Sequence, residues 1–123
     1  MISEWIGIGV GAFIVFALAW KVIYGSGSGL KGAVVREKIK MGAMAIDVRT
    51  PSEYKSGHYK GAKNIPLQEL ESRLSEIGEK NTPIVVYCAS GMRSAKALKI
   101  LTKAGFTDVM NAGTMRTMRN LEN

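Results

Sequence analysis

The stretch Pro83 to Ala97, reading PIVVYCASGMRSAKA, constrains the fold more than any other part of the chain. A β-branched apolar run stops at Cys88, a loop of small residues containing Gly91 follows, and a helix-forming stretch begins at Ser94. That order predicts a strand, a tight loop and a helix in succession. In open α/β sheets the carboxyl end of such a strand, before a glycine loop, is where binding and catalytic sites are built.

In that geometry the loop amides and the positive end of the helix converge on whatever occupies the loop, which favours a thiolate or a bound oxyanion. Cysteines so placed have pKa values lowered to roughly 3.5 to 7.5, from about 8.5 for a free thiol. Arg93 adds a fixed charge and a planar donor fork suited to sulfate-like or phosphate-like groups. The competing reading makes Cys88 a small buried hydrophobe at the end of a core strand.

Cys88 is the sole cysteine among the 123 residues. An internal disulfide is therefore excluded, and so is an intramolecular resolving thiol, so any sulfur or redox relay must use an external thiol. With one cysteine and one histidine, His58, no zinc site of the common types can be assembled within one chain, and no metal or other cofactor is expected. The formal net charge is +7, and every charged residue except Glu4 and Lys21 follows Gly29. Such an excess suits an anionic membrane surface or small anionic substrates. Nucleic acid is not expected, because the basic residues are spread singly and no nucleic-acid-binding motif is present.

Residues 5 to 24 read WIGIGVGAFIVFALAWKVIY, with Lys21 as the only charge. About 20 apolar residues span a bilayer as a helix, Lys21 can snorkel to the interface, and Trp5, Trp20 and Tyr24 stand at the ends where an aromatic belt lies. Residues 1 to 24 are therefore expected to form a transmembrane anchor. Ala17-Leu18-Ala19 resembles a signal-peptidase site, but the first four residues hold Glu4 and no basic side chain, unlike a secretory leader. Lys21, Lys31, Arg36, Lys38 and Lys40 all follow the span, so a single-pass protein with its globular part in the cytoplasm is expected. Gly7 and Gly11 have the G-x-x-x-G spacing that lets membrane helices approach closely, although ordinary glycine usage explains it as well; at most a weak helix-mediated dimer is expected. Residues 25 to 29, GSGSG, read as a flexible linker, and residues 30 to 123 as the globular domain.

Beyond the linker, helical and strand-like patterns alternate. Val34, Val35 and Ile39 predict a short helix, Met44 to Val48 a strand, Pro51 to Ser56 a helical turn, and Leu67 to Ile77 a helix with Leu70, Leu74 and Ile77 on one face. A strand over Ile84 to Tyr87, a helix from Ser94 to Ala104 ended by Gly105, a short strand near Asp108 to Met110 and a terminal helix after Gly113 follow. The alternation implies an α/β fold with a small, mainly parallel sheet flanked by helices.

Three blocks then carry a specific resemblance: AIDVRTPSEY from Ala45 to Tyr54, GHYKGAKNIP from Gly57 to Pro66, and YCASGMRS from Tyr87 to Ser94. In that order and spacing they resemble a single-domain rhodanese, over roughly residues 31 to 118. The resemblance implies that Cys88 is the sulfur-carrying nucleophile, taking the outer sulfur of a donor such as thiosulfate as a persulfide and passing it to cyanide or a thiol. It implies that Arg93 binds the donor's anionic group while the amides of Ala89, Ser90, Gly91, Met92 and Ser94 hold the persulfide. Asp47 and Arg49 match a DVR block read as mainly structural, with Arg49 facing the site as the alternative, and His58 matches a GH turn read as a structural hydrogen bond.

Four residues separate Cys88 from Arg93, and position 94 is serine. Cysteine phosphatases need five, a loop wide enough to surround phosphate, so the tighter loop resembles the sulfurtransferase form. Ala89 stands where the family often has a basic residue, which weighs against efficient thiosulfate use. Asn111-Ala112-Gly113-Thr114-Met115 replaces the usual Gly-Gly pair and its apolar anchor, so the last helix is expected to pack differently. Two other functions use the same domain: a non-catalytic docking module at the membrane, which has no need of a reactive thiol in an anion-binding loop, and a persulfide carrier fed by another enzyme. Met92, Met110, Met115 and Met118 would serve the docking module as an adaptable surface, or else simply fill the core.

Overall fold

In the computed structural model, which describes residues 27 to 122, four short strands lie parallel to one another: β1 (Met44–Asp47), β2 (Lys63–Asn64), β3 (Ile84–Cys88) and β4 (Val109–Thr114). Their order across the sheet is β2-β1-β3-β4. Parallel neighbours need crossovers, and these are supplied by α2 (Pro51–Lys55), by two 3-10 turns (Leu67–Glu69 and Glu71–Glu76) and by α3 (Met92–Lys103). Helix α1 (Gly27–Lys40) precedes the sheet and α4 (Met115–Asn120) closes the chain. The unit Gly32–Asn123 holds the sheet and the elements packed on it.

All five residues of β3 are buried, which a strand covered on both faces requires. Side chains alternate along a strand, and the two halves of the core follow that alternation. Ile84, Val86 and Cys88 join Ile46, Val48, Leu70, Ala97 and Leu101 on one face, under α3 and the 3-10 turns. Val85 and Tyr87 join Val35, Ala45, Met115 and Met118 on the other, under α1 and α4. Fully burying one such aliphatic side chain contributes about 1.5 to 3 kcal/mol. Cys88 thus belongs to the face carrying α3, and this fixes where its sulfur points.

The sequence expectation of one helix over Leu67 to Ile77 is corrected. The segment forms 3-10 turns, with Arg73 out of helical conformation (φ −118°, ψ 19°) between the halves. The apolar spacing accounts for it. Leu67 and Leu70 are three apart, as are Leu74 and Ile77, which is the 3-10 period, and Arg73 absorbs the one residue left over. Helix α3 starts at Met92, two residues before Ser94, because Gly91 takes the left-handed conformation (φ 96°) that launches it. Strand β4 extends to Thr114, beyond the expected end at Met110. A bulge lets Val86 face Asn111 and Tyr87 face Gly113, leaving Ala112 as the extra residue. Buried Met115 and Met118 of α4 anchor that end of the chain from the face opposite the cysteine, while Met92 is exposed.

Helix α1 takes in Gly27, Ser28 and Gly29, part of the run read as a flexible linker. The expected anchor over residues 1 to 24, with its glycine spacing, lies outside the described residues. Among the described residues no helix is long and apolar enough to cross a membrane.

Candidate active site

The loop after β3 closes on the cysteine sulfur. The Gly91 amide donates to Cys88 Sγ at 2.9 Å, and Ser94 Oγ stands 3.5 Å from the same sulfur. Ser94 is buried, and its hydroxyl is held within 3.1 Å of the Gly91 carbonyl and 3.2 Å of the Gly113 carbonyl. The bulge in β4 is what brings the backbone of Gly113 there, and an added Cβ on Gly91 would stand 3.8 Å from Gly113 Cα. Burial on its own pushes the Cys88 thiol up. The hydrogen bond with the Ser94 side chain and those from the Ser94, Gly91 and Ser90 amides outweigh it, and the net shift is downward. The site is therefore built to hold a sulfur anion at the start of a helix.

Arg93 leaves the first turn of α3 and meets Glu53 of α2. The pair is bidentate, with Nη1 to Oε1 at 2.6 Å and Nη2 to Oε2 at 3.0 Å. The guanidinium beside it lowers the Glu53 carboxyl to about 2. Glu53 also closes a capping box, accepting from the Thr50 amide at 3.1 Å while Thr50 Oγ1 accepts from the Glu53 amide at 3.2 Å. In the sequence Glu53 is marked only by the Thr50-x-x-Glu53 spacing, which sets the helix start and says nothing of a partner 40 residues on. A cavity of about 150 Å³ lies beside Arg93, lined also by Val48, Thr50, Pro66, Leu67 and Gln68.

Among the described residues, no hydrogen bond joins the side chains of Asp47, Arg49 or His58 to the loop of residues 88 to 94. Asp47 and Arg49 form a buried ion pair at 2.6 Å, and Arg49 Nη2 also donates to the Gly57 carbonyl at 2.7 Å. His58 Nδ1 is 2.8 Å from the Tyr54 carbonyl, and its ring stacks on that of Tyr54 with centroids 3.6 Å apart. Ala89 and Ser90 are exposed above the buried thiol, and Met92 turns its side chain to solvent at the rim.

A buried sulfur with amide donors between a parallel strand and a helix narrows the choice of family, and comparison decides it. Residues 32–112 match the model of the rhodanese-like domain. The chain belongs to the rhodanese family. Thiosulfate sulfurtransferase PspE of Escherichia coli (strain K12) is 43% identical over 72 residues, covering 58% of this chain and 69% of that protein. Protein YqhL of Bacillus subtilis (strain 168) is 36% identical over 103 residues, 81% of this chain and 79% of its own. The solved structure of a rhodanese with anions from E. coli superimposes with a TM-score of 0.59 at 41% identity, over 61% of this chain and 89% of that one. The rhodanese fold and the class of rhodanese-type sulfurtransferase follow, with a sulfur donor and a sulfur acceptor as substrates.

Proposed function

We propose that this rhodanese moves a sulfane sulfur through a persulfide on Cys88, from a donor such as thiosulfate to cyanide or a thiol. The observation that carries this reading is the convergence of the Gly91 amide and the Ser94 hydroxyl on Cys88 Sγ. The Cys88 thiolate attacks the outer sulfur of the donor, the donor's sulfur–sulfur bond breaks, and sulfite leaves with the electron pair. The acceptor then attacks the bound outer sulfur and the cysteine leaves as thiolate, which the loop stabilises in both half-reactions. Incubating the full chain with thiosulfate should add one sulfur atom to its intact mass, discharged by cyanide. A chain that gains no mass from any sulfane donor contradicts the mechanism.

Thiolate is the attacking form, so loading from thiosulfate is expected to rise with pH and to level off below the ordinary value of a free thiol, about 8.5. A plateau reached only above that value would mean that burial, not hydrogen bonding, governs the thiol. Arg93→Ala removes donor N–H groups and leaves Glu53 uncompensated beside the site. The KM for thiosulfate is expected to rise roughly tenfold with a smaller change in kcat; equal kcat and KM for mutant and parent would remove Arg93 from donor binding.

Residues 1 to 24 form a single-pass anchor, residues 25 to 29 join it to the domain of residues 30 to 123, and the domain faces the cytoplasm. This location is supported by the apolar length of residues 5 to 24 and the basic residues that follow. Recovery of the full chain in a membrane fraction that resists carbonate washing is expected.

A further inference from the structure

The chain holds six arginines, and their partners divide them into two groups. Arg49, Arg73 and Arg93 each meet a carboxylate in an ion pair. Arg36, Arg116 and Arg119 meet none among the described residues, and all three lie on α1 and α4, the helices that cover the side of the sheet opposite the Cys88 sulfur. Lys40, at the end of α1, is likewise exposed and unpaired, whereas Lys38 is taken up by Asp108. Val35 of α1 shares one core with Met115 and Met118 of α4, and Arg36 Nη2 donates to the Asn120 carbonyl at 3.5 Å, so the two helices meet on one side of the sheet. Arg36 and Lys40 are four residues apart and Arg116 and Arg119 three, spacings that put each pair on one side of its helix. Against these four exposed cations the two helices carry one acid, Glu37, and Glu122, just beyond α4, accepts from the Lys60 amide at 3.4 Å.

Unpaired arginines gathered on one face suit phosphate, which their planar forks grip in bidentate fashion. Met41, 75% exposed, directly follows Lys40, and a large apolar side chain beside cations is the composition of a surface that enters the headgroup region of a bilayer. Only Gly25 and Ser26 stand between Tyr24, where the apolar segment ends, and Gly27, where α1 begins. An anchor over residues 5 to 24 thus tethers α1 within a few residues of lipid, and the inference rests on that reading. We propose that α1 and α4 form a docking face for an anionic bilayer surface: Arg36, Lys40, Arg116 and Arg119 engage lipid phosphates, and the domain lies on the membrane with its Cys88 loop open to water. Contact through these helices leaves α3 and the loop after β3 uncovered, so donor and acceptor reach the sulfur from the aqueous side. Arg116 and Arg119 come near the end of the chain, so the face exists only in the fold.

The test uses the full chain in vesicles of phosphatidylcholine alone or with about one third phosphatidylglycerol, followed by backbone hydrogen exchange and mass spectrometry. Exchange of the α4 amides is expected to be about tenfold slower on the anionic vesicles than on the neutral ones, while the α3 amides, on the other side of the sheet, stay unchanged. Salt at about 0.5 M shortens screening to roughly 4 Å and should remove the difference. Arg116→Gln with Arg119→Gln should shrink the difference at least about threefold, with α3 exchange as in the parent. Lys40→Gln, on α1, should shrink it as well and serves if the double variant unfolds. Equal α4 exchange on both vesicles, or a double variant that keeps the full difference, overturns the docking face. Inorganic phosphate added to the neutral vesicles should leave α4 unchanged; protection equal to that from anionic lipid assigns the face to free anions and overturns the bilayer as its partner. Failure of the full chain to float with neutral vesicles overturns the anchor instead, and flotation with anionic vesicles alone would then still uphold the face.

Discussion

Replacing Cys88 by serine is expected to lower sulfur transfer by roughly 10⁴-fold or more, to the uncatalysed level. The substitution changes one atom, at a buried position in the core cluster that includes Val86 and Ala97, so the core around it is nearly preserved. What disappears is the chemistry. A serine hydroxyl stays protonated where the thiol is tuned downward by its hydrogen bonds with Ser94 and Gly91, and an alkoxide carries no sulfane sulfur. Intact mass after incubation with a sulfane donor should show no added sulfur, and the urea midpoint should stay within about 1 kcal/mol of the parent. Sulfur transfer retained by the serine variant at more than about one hundredth of the parent rate would remove Cys88 from the mechanism.

The second large effect concerns stability. Asp47→Ala should cost about 3 to 5 kcal/mol, because it leaves the Arg49 guanidinium buried without its counter-charge. Asp47 is fully buried and its carboxylate accepts from the Arg49 amide at 2.9 Å, from Nε at 3.0 Å and from Nη2 at 2.6 Å. The pair also ties three segments together. Arg49 Nη2 reaches the Gly57 carbonyl, and Asn64 Nδ2 donates to the backbone carbonyls of Asp47 at 3.0 Å and Arg49 at 2.9 Å, fastening β2 to β1. Small domains have roughly 5 to 15 kcal/mol in all, so the variant is expected to be partly unfolded at moderate temperature. Urea unfolding followed by far-ultraviolet circular dichroism measures the loss; a midpoint change worth less than about 1 kcal/mol would show that the pair is dispensable.

Sequence signals that depend on near neighbours held up. The β-branched run into Cys88 became a fully buried strand, and the pattern around Leu101 became a helix, since both follow from periodicity within a few residues. Leu67 to Ile77 misled because spacings of three and four serve α and 3-10 geometry alike over so short a stretch, and packing chose between them. Two-residue β2 has too short a pattern to read; it exists because β1 offers it backbone partners. The GH turn was read as the place of a structural hydrogen bond from His58; its partner, the Tyr54 carbonyl four residues back, is named only by the structure.

By itself, then, the sequence determined a small parallel α/β domain with its one cysteine at the end of a core strand, because strand, glycine loop and helix are written consecutively around Cys88. Only the tertiary structure decided the electrical state of the site. Glu53 reaches Arg93 across 40 residues, and Gly113 closes on Gly91 and Ser94 from another strand. Both depend on how crossovers stack α2 and β4 against α3, and the strength of a charge pair is set by distance and burial in space, which no local run of residues encodes.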